Sequence, residues 1–326
     1  MSRDRRALPP AMSFAPTRAA MPAGLIALTA VATCGRGTSP PPPSPTAAPT
    51  DAAVARTDAA PPSAAAPPCD GQVHALAPGV TGERHRLAAP TALPGVEPCL
   101  DVVRVDLARH QVKLIMASRD GAPRPVARWA DEVGAIAAVN AGMFGDDHRG
   151  LGHLRDGAHV DRDRDNPRYG GWLLFDPIAP GDPPVQVIGR DCPGVDAAAV
   201  RARYRGQIQS YRLLGCAGEA LAWADDKRYS AAGFGVDRAG RLVLLHTRAP
   251  FRMADLATAL TTPGLDLAGA LYAEGGPEAT LVAGRGADRW VRLGSYETGY
   301  WEDDSNHTAW DVPNVLTAIP RAATSP

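Results

Sequence analysis

The stretch that decides the fold is LYAEGGPEATL, residues 271–281. An apolar strand there delivers Glu274 directly into a Gly-Gly turn, and Glu278 follows within the same segment. Glycines let a backbone approach a ligand closely, and successive N–H groups in such a turn can bind an anion. The pattern therefore predicts that Glu274 and Glu278 form an acid and base pair, or one base and one binding carboxylate, beside Gly275 and Gly276 as candidate binding residues. A tight turn with solvated glutamates is the alternative.

Upstream, a second apolar strand over residues 135–139 also ends in a polar residue. Asn140 follows the strand directly, and Gly142 comes two positions later. An Asn side chain can donate to a substrate oxygen and accept from a hydroxyl, while glycine permits backbone angles closed to other residues. We therefore expect Asn140 to be a candidate binding residue, with an Asn that only forms a turn as the local alternative.

A third polar strand segment is QSYR, residues 209–212, within a predicted strand over residues 207–214. Because side chains alternate across a strand, Gln209 faces one side while Ser210 and Arg212 face the other. The G-x-S-x-G surround of a serine nucleophile is missing from this sequence, so Ser210 is a poor candidate nucleophile.

His246 ends the second strand of a predicted hairpin. Histidine carries protons near neutral pH, so His246 is a candidate catalytic residue, with a purely structural histidine as the alternative. Three further histidines, His148, His153 and His159, lack the H-E-x-x-H spacing. These histidines do not decide whether the protein binds a metal. The sequence implies no cofactor.

The order of predicted elements indicates the fold class. Hairpins are expected over residues 101–117 and 232–246, whereas residues 146–169 lack any period and are typical of a long functional loop. Short helices are expected at residues 126–133, 195–204 and 254–260. Because hairpins mix with helix-to-strand passages, the sequence predicts an α+β fold, a single domain with a large mixed sheet and flanking helices.

Composition narrows the class of protein. The 326 residues include 33 Gly and 32 Pro, which argues against a helical bundle or coiled coil. Hydrophobic residues make up 45% and charged residues 21%, a balance that supports a sizeable core. The formal net charge of -1 argues against a nucleic-acid partner.

The N-terminal segment predicts export. Residues 1–34 join an arginine-bearing stretch to an apolar run too short to span a bilayer, as in a signal peptide. The run closes at Cys34 in a sequence that resembles a bacterial lipobox, so we expect lipidation there and attachment to the membrane by the lipid anchor only; plain secretion is the alternative. Residues 35–68 are expected to form a Pro/Ala-rich disordered tether, and residues 69–326 the working domain.

Four more cysteines follow Cys34 in the chain. An even number in an exported protein favours two disulfides. Neighbour pairing, Cys69 with Cys99 and Cys192 with Cys216, is the simplest of the three connectivities. Free buried thiols or a reactive thiol are the alternatives.

Several motifs, taken in order, carry a resemblance to a known family. They are residues 140–144, residues 209–210, the 235–240 hairpin turn, residues 274–276 and residues 312–314. Together they resemble the phosphodiester glycosidase family over most of residues 101–319. That family includes the enzyme that uncovers mannose 6-phosphate on lysosomal hydrolases, together with bacterial exopolysaccharide-associated proteins.

The sequence departs from the family pattern at several positions. Glu274 stands where the family usually has Asp, and Glu278 with Ala279 falls near the usual Ser pair. Ala231 stands where the family has an Arg in the hairpin, and Tyr-Arg at residues 211–212 replaces Gly-Pro. The resemblance therefore supports the fold more strongly than the substrate.

The resemblance implies an exported hydrolase of the cell envelope that cleaves a sugar 1-phosphate diester, with envelope or exopolysaccharide glycans as substrates. Glu274 would act as general base or charge stabiliser, and Glu278 as the second acid. A non-catalytic, sugar-phosphate-binding envelope lipoprotein is the main alternative, and a metal-dependent phosphodiesterase is another. The binding partner in each case is a glycan or sugar-phosphate small molecule.

The same resemblance implies a set of substrate-binding residues: Asn140, Gly142, Gln209, Ser210, Arg212, Arg248, Gly275 and Gly276. Arg212 or Arg248 would hold phosphate with the glycine amides, while Asn140 and Gln209 would orient sugar hydroxyls. The enzymatic interpretation further predicts that four side chains meet at one pocket, namely Asn140, Gln209, His246 and Glu274.

Overall fold

The computed structural model of the chain describes residues 66–88 and 93–322. The strands of this part are, in chain order, β1 (His74–Ala77), β2 (Val80–Arg86), β3 (Cys99–Val105), β4 (His110–Met116), β5 (Ala137–Asn140), β6 (Leu154–Asp156), β7 (His159–Arg162), β8 (Gly171–Pro177), β9 (Val185–Gly189), β10 (Tyr204–Ser210), β11 (Arg228–Asp237), β12 (Leu242–Arg252), β13 (Leu267–Gly275), β14 (Thr280–Ala283), β15 (Trp290–Leu293) and β16 (Asn314–Pro320). The α-helices are short: α1 (Ala117–Asp120), α2 (Val126–Glu132), α3 (Ala197–Arg201) and α4 (Met253–Ala259).

The strands form three antiparallel sheets. One has six strands in the order β1-β2-β3-β12-β11-β13, and two have five strands each, in the orders β7-β6-β10-β8-β9 and β15-β14-β5-β16-β4. The expectation of one large mixed sheet is therefore wrong, and the chain is richer in β-structure than the predicted α+β class. The helices are too short to supply crossovers between parallel strands, which need about a dozen residues or more.

All three sheets contribute side chains to one hydrophobic core. Val103 and Phe234 come from the six-stranded sheet, Leu173 and Ile208 from the second sheet, and Leu316 from the third, each almost fully excluded from solvent. In the sequence, a strand with one buried face shows alternating apolar residues, and a strand buried on both faces shows a continuous apolar run. The central core is thus the element that fixes the three sheets against one another.

Short helices cover outer faces of the sheets, as the sequence predicts. On α2, Val126, Trp129 and Ala130 are spaced to form one apolar stripe, and all three are buried. They pack in a cluster with residues of the third sheet, Val315 among them, and the Trp129 Nε1 donates to the carbonyl of Val312 at 2.9 Å. The predicted helix over residues 126–133 is thereby confirmed.

Two local predictions are wrong. The strands within residues 101–117 do not form a hairpin, because β3 pairs with β2 and β12 while β4 pairs with β16. The supposed long loop over residues 146–169 contains the paired strands β6 and β7. The Arg and Asp residues of this segment interrupt the apolar alternation that is typical of strands. Arg149 and Asp161, for example, form hydrogen bonds within the segment.

The hairpin predicted over residues 232–246 is confirmed and is longer than expected. Strands β11 and β12 pair from Arg228 with Arg252 to Val236 with Leu242, and they lie in the interior of the six-stranded sheet. β13 pairs with β11 on the other side, with Ala232 opposite Glu274. This register brings the end of β13 to the edge of the core.

Both predicted disulfides form: Cys69 joins Cys99, and Cys192 joins Cys216. The predicted signal peptide, the lipidated Cys34 and nearly all of the tether lie outside the described residues and stay predictions. In residues 66–88 and 93–322, no helix has the length and apolar character that crossing a bilayer requires.

Candidate active site

A cavity of ≈ 580 Å³ opens at the carboxyl end of β13. Its walls come from the segment of residues 143–148 after β5, from residues 211–229, and from the turn of residues 274–278, with Glu297 added from a later loop. Residues from four separate parts of the chain thus meet around one concave space. We refer to this space as the cleft.

Glu274 is the second-last residue of β13, and it lines the cleft. Burial raises the pKa of Glu274 from an ordinary value of 4.5 to about 8. The neighbouring carboxylates of Glu278 and Glu297 make smaller contributions in the same direction. One opposing contact, from the Gly275 N–H to Glu274 Oε1 at 3.1 Å, stabilises the charged form and is outweighed. Glu274 therefore holds its proton at neutral pH.

Two more carboxylates share this space. Burial raises the pKa of Glu278, and the charge of Glu297 adds to that effect. Burial also raises the pKa of Glu297, with Lys227 acting in the opposite direction. Like charges in a partly desolvated site disfavour simultaneous ionisation, so the three groups titrate as a coupled set.

The two glycines of the turn are required by close packing. A Cβ atom at Gly276 would lie 2.7 Å from Glu297 Oε2, and this residue has a left-handed φ of 66°. A side chain at Gly275 would meet the hydroxyl of Tyr272. The Gly275 N–H is bonded to Glu274, so this amide does not point freely into the cleft as an anion donor.

An aromatic ladder runs along one side of the cleft, where Tyr211, Trp223 and Tyr272 line the space and Tyr169 packs against Tyr211. The ring centroids of Tyr169 and Tyr211 are 4.5 Å apart, those of Tyr211 and Trp223 are 5.2 Å apart, and those of Trp223 and Tyr272 are 5.9 Å apart. Tyr229 also lines the cleft, and its hydroxyl donates to Asp225 Oδ2 at 2.8 Å. Burial raises the pKa of Tyr229 and that of Tyr272, so both phenols stay protonated.

Asn140 does not line the cleft but holds the turn that does. Its side chain is buried, with Nδ2 donating to the Glu278 carbonyl at 3.0 Å and Oδ1 accepting from the Thr280 N–H at 2.7 Å. The expectation that Asn140 orients sugar hydroxyls is therefore corrected. Gly142 has a φ of 115°, which only glycine adopts readily, and it turns the chain toward the lining residue Met143.

Gln209 and Ser210 are also buried and bonded within the protein. Gln209 Nε2 donates to the carbonyls of Asn166 and Tyr169, and its Oε1 accepts from the backbone N–H of His153 and of Asn166. The hydroxyl of Ser210 donates to the Tyr272 carbonyl. Both side chains fix the framework behind the cleft, and neither has a group left for substrate.

The two arginines expected to hold phosphate point elsewhere. Arg212 lies against the Cys192–Cys216 disulfide, with Nη1 at 3.2 Å from Cys216 Sγ, and pairs with Asp191. Arg248 donates through its two Nη atoms to the carbonyls of Leu293, Asp304 and Asn306, each at 2.9 Å. Each guanidinium is used to fix loops, so phosphate binding by these two residues is not supported.

His246 is enclosed in the six-stranded sheet, away from the cleft. Its Nε2 lies 3.3 Å from the Ala279 carbonyl, and its Nδ1 lies 3.9 Å from Asp101 Oδ2, too far for a hydrogen bond. Burial lowers the pKa of His246, which favours the neutral ring. Without access to solvent, His246 cannot exchange protons with a substrate, so its predicted catalytic role is corrected to a structural one.

The other histidines are far from forming a common metal site. His148 lines the cleft, His153 is buried, and His159 Nε2 lies 2.9 Å from Ser118 Oγ. Among the described residues, the potential metal-ligand groups that lie close together each contain a cysteine pair already joined as a disulfide.

The predicted meeting of four side chains at one pocket is thus only partly realised. Glu274 reaches the cleft, whereas Asn140, Gln209 and His246 lie behind it. Sequence reasoning missed Glu297 and the aromatic ladder, and it considered His148 only as a possible metal ligand, not as a cleft residue. Tyr211 could have been found, since it directly follows Ser210, the last residue of β10, but the segment around Glu297 carries no strand or helix pattern.

The comparison with family models identifies the class of protein. Residues 133–319 match the model of the phosphodiester glycosidase family, which is more than half of the chain. The chain belongs to this family. The match includes all three cleft carboxylates discussed above, Glu274, Glu278 and Glu297.

Solved structures share the fold at low sequence identity. The catalytic domain of zebrafish N-acetylglucosamine-1-phosphodiester alpha-N-acetylglucosaminidase, auto-inhibited by its pro-peptide, is 16% identical, with a TM-score of 0.53 over 76% of this chain and 86% of that one. A hypothetical protein from Synechocystis is 14% identical, with a TM-score of 0.52 over 78% of this chain, which spans 64% of that protein. No curated protein matches the chain.

Proposed function

We propose that this protein hydrolyses a sugar 1-phosphate diester. The observation that carries the proposal is Glu274, a carboxyl group whose pKa burial raises to about 8, in the wall of a ≈ 580 Å³ cleft. Perturbed carboxyl groups in a cleft are typical of catalytic sites. Membership of the phosphodiester glycosidase family supports the class of reaction.

Two of the three cleft carboxylates take separate roles, one as a hydrogen-bond donor and one as the base. Because Glu274 keeps its proton at neutral pH, it acts as a hydrogen-bond donor to a phosphate oxygen, a contact that an ionised carboxylate would repel. Glu278 then accepts the proton of the attacking water. The sequence-based expectation is Glu274 as general base or charge stabiliser and Glu278 as the second acid; here Glu274 keeps only the stabilising role, and Glu278 becomes the base.

The reaction adds water across the ester bond between sugar and phosphate. The water oxygen bonds to the sugar carbon or to the phosphorus, and the bond from that atom to the bridging oxygen breaks with its electron pair leaving on the oxygen. Glu278 takes the proton of the water and passes it to that leaving oxygen or to solvent. The products are the free sugar and a phosphomonoester. A phosphate leaving group needs little protonation, so positioning and charge stabilisation are the larger demands on the protein.

The aromatic ladder supplies a surface for the sugar ring. Tyr211 and Trp223 line the cleft with their rings, beside the carboxylates. Aromatic side chains with a polar edge combine apolar contact area with hydrogen bonding, which suits an amphipathic ring such as a sugar. We assign the sugar to this wall and the phosphate to the side of Glu274.

We further propose that the protein is exported and acts on cell-envelope or exopolysaccharide glycans, attached to the membrane through a lipid on Cys34. The two disulfides support this location, since such bonds persist in oxidising compartments outside the cytoplasm. Labelling of the full chain with a fatty acid, lost on Cys34→Ala, tests the anchor. A labelled Cys34→Ala variant contradicts it.

The test of the activity is hydrolysis of a panel of sugar 1-phosphodiesters by the purified full chain. We expect Glu274→Ala, which removes the donor to phosphate, to lower kcat/KM by a factor of ~10²–10³, the usual cost of losing one such donor in a catalytic site. The matched control is Glu132→Ala, which alters an exposed carboxylate on α2, outside the cleft. Near-normal turnover by a folded Glu274→Ala variant removes Glu274 from the mechanism.

The same experiment separates the alternatives. A protein that binds sugar phosphodiesters but cleaves none is a binding lipoprotein, a function that the engagement of Arg212 and Arg248 elsewhere would permit. Loss of activity in a chelator, restored by a divalent metal, would indicate a metal-dependent phosphodiesterase.

A further inference from the structure

The charge of the cleft poses a problem for a phosphodiester substrate. Five carboxylate side chains line the cleft: Asp146, Asp225, Glu274, Glu278 and Glu297. Among the described lining residues, none is Arg or Lys. A phosphodiester carries a negative charge at neutral pH, so the cleft needs a positive group to bind it.

His148 is the lining residue that can supply positive charge. It is exposed and stands on the segment that follows β5, facing the space shared with the carboxylates. No hydrogen bond or ion pair to its imidazole forms within the described part of the chain. The ring is therefore free to bind a ligand through its N–H groups.

The backbone presents His148 in an unusual conformation. Its φ is 57°, in the left-handed region that few residues other than glycine adopt. A tight turn holds it there, with the His148 N–H donating to the Gly145 carbonyl at 2.8 Å and the Gly145 N–H donating to the Arg149 carbonyl at 3.0 Å. Strained residues of this kind concentrate at functional sites.

The contacts that fix this turn do not involve the imidazole. Asp147 Oδ1 accepts from the Arg149 N–H at 3.1 Å, Asp147 Oδ2 accepts from Arg162 Nη2 at 3.2 Å, and Arg162 Nε donates to the Gly150 carbonyl at 2.7 Å. The turn is thus anchored to β7 by its neighbours. These contacts hold the backbone of His148 at the cleft, and its side chain is not needed to hold the turn.

We propose that His148 binds the phosphate group of the substrate, donating from an imidazole N–H to a non-bridging phosphate oxygen. This contact replaces the arginine contacts that the sequence suggests at Arg212 and Arg248, both of which are engaged elsewhere. A charge-assisted hydrogen bond is stronger than a neutral one and fixes the orientation of the phosphate. The inference rests on the proposed function, because it assigns the phosphate to the same cleft.

The test measures binding to the full chain by isothermal titration calorimetry. The probe is a C-glycosyl phosphonate monoester of N-acetylglucosamine, in which a CH₂ group replaces the bridging oxygen so that no hydrolysis occurs. Methyl N-acetylglucosaminide, which is neutral, is the matched ligand. His148→Asn removes the imidazole and keeps a residue that tolerates left-handed backbone angles, while His148→Lys puts a cationic donor in its place.

We expect His148→Asn to raise the Kd of the phosphonate on the order of tenfold, with the Kd of the neutral glycoside unchanged. His148→Lys recovers most of the loss. The control His159→Asn, altering a histidine that contacts Ser118, leaves both Kd values unchanged. This selectivity for the charged ligand distinguishes phosphate binding from a general disturbance of the cleft.

Equal weakening of both ligands by His148→Asn, no weakening of either, or no binding of the phosphonate by the unaltered protein would overturn the inference. Because the probe cannot be cleaved, its binding is independent of turnover. Binding of the phosphonate through His148 without cleavage of any substrate would contradict the proposed hydrolysis and would still support the assignment of His148.

Discussion

Asn140 holds the backbone of Glu278 from behind the cleft, with Nδ2 donating to the Glu278 carbonyl at 3.0 Å while Oδ1 accepts from the Thr280 N–H at 2.7 Å. Both polar groups of one buried amide are thus used on the turn that connects β13 to β14. Each half of the amide meets the group it complements, so the side chain acts as a clamp that fixes where the Glu278 carboxylate points.

Replacing Asn140 with Asp should weaken this clamp selectively. The donor to the Glu278 carbonyl becomes an oxygen that repels it, while the acceptor for Thr280 remains. We expect the free energy of unfolding to fall by ~1–3 kcal/mol, the usual cost of an unsatisfied buried group, and kcat to fall more than KM rises. Thermal unfolding and steady-state kinetics measure the two effects. Unchanged stability and activity would contradict the role given to Asn140.

The pH dependence of activity should report the proton on Glu274. That carboxyl group donates to phosphate only while protonated, and its pKa is raised to about 8 by burial and by Glu278 and Glu297. Activity is therefore expected to fall as the pH rises through about 8. The measurement is kcat/KM against pH, which follows the ionisation of the free enzyme. A rate that keeps rising through this range would assign Glu274 to the ionised, basic role instead.

The same shift predicts that Glu274 destabilises the fold. Between its ordinary value of 4.5 and its folded value of about 8, the folded protein keeps the proton and the unfolded chain has lost it. Stability then falls as the pH rises through this window. Glu274→Gln removes the effect, so we expect the variant to match the unaltered protein near the lower bound and to exceed it by on the order of 4 kcal/mol near the upper one. Denaturant unfolding across this window checks the sign; a variant less stable at the upper bound contradicts it.

The parts of the fold that the sequence revealed are those whose signals are local. The β11–β12 hairpin is predicted by the alternating apolar residues on both sides of a short turn that contains Gly240. The pairing of β4 with β16 joins residues such as Lys113 and Thr317, 204 positions apart, and no local pattern selects that partner. The number and type of sheets therefore came only from the structure.

The site divides in the same way. Glu274 and Glu278 lie within one turn and were found together, whereas Glu297 arrives through a backbone bridge to Tyr229 that the sequence does not show. Residue type alone also gave an incorrect prediction, namely that Arg248 binds phosphate. Arg248 has the donors to bind phosphate, but backbone carbonyls accept those donors equally well, and loop geometry decides between them.

Gly276 offers a test of how closely the turn is packed against Glu297. Gly276→Ala adds a Cβ 2.7 Å from Glu297 Oε2 at a residue with a φ of 66°. Gly134→Ala is a matched control, because Gly134 has a φ of 67° with no atom within 4 Å of the added Cβ. Both variants carry the same left-handed strain of ~1 kcal/mol, and only the first displaces a cleft carboxylate. We expect Gly276→Ala alone to lose most of the hydrolytic activity and to unfold at a lower temperature than Gly134→Ala. If the two variants were equal in melting temperature and activity, the contact between the turn and Glu297 would have no part in catalysis.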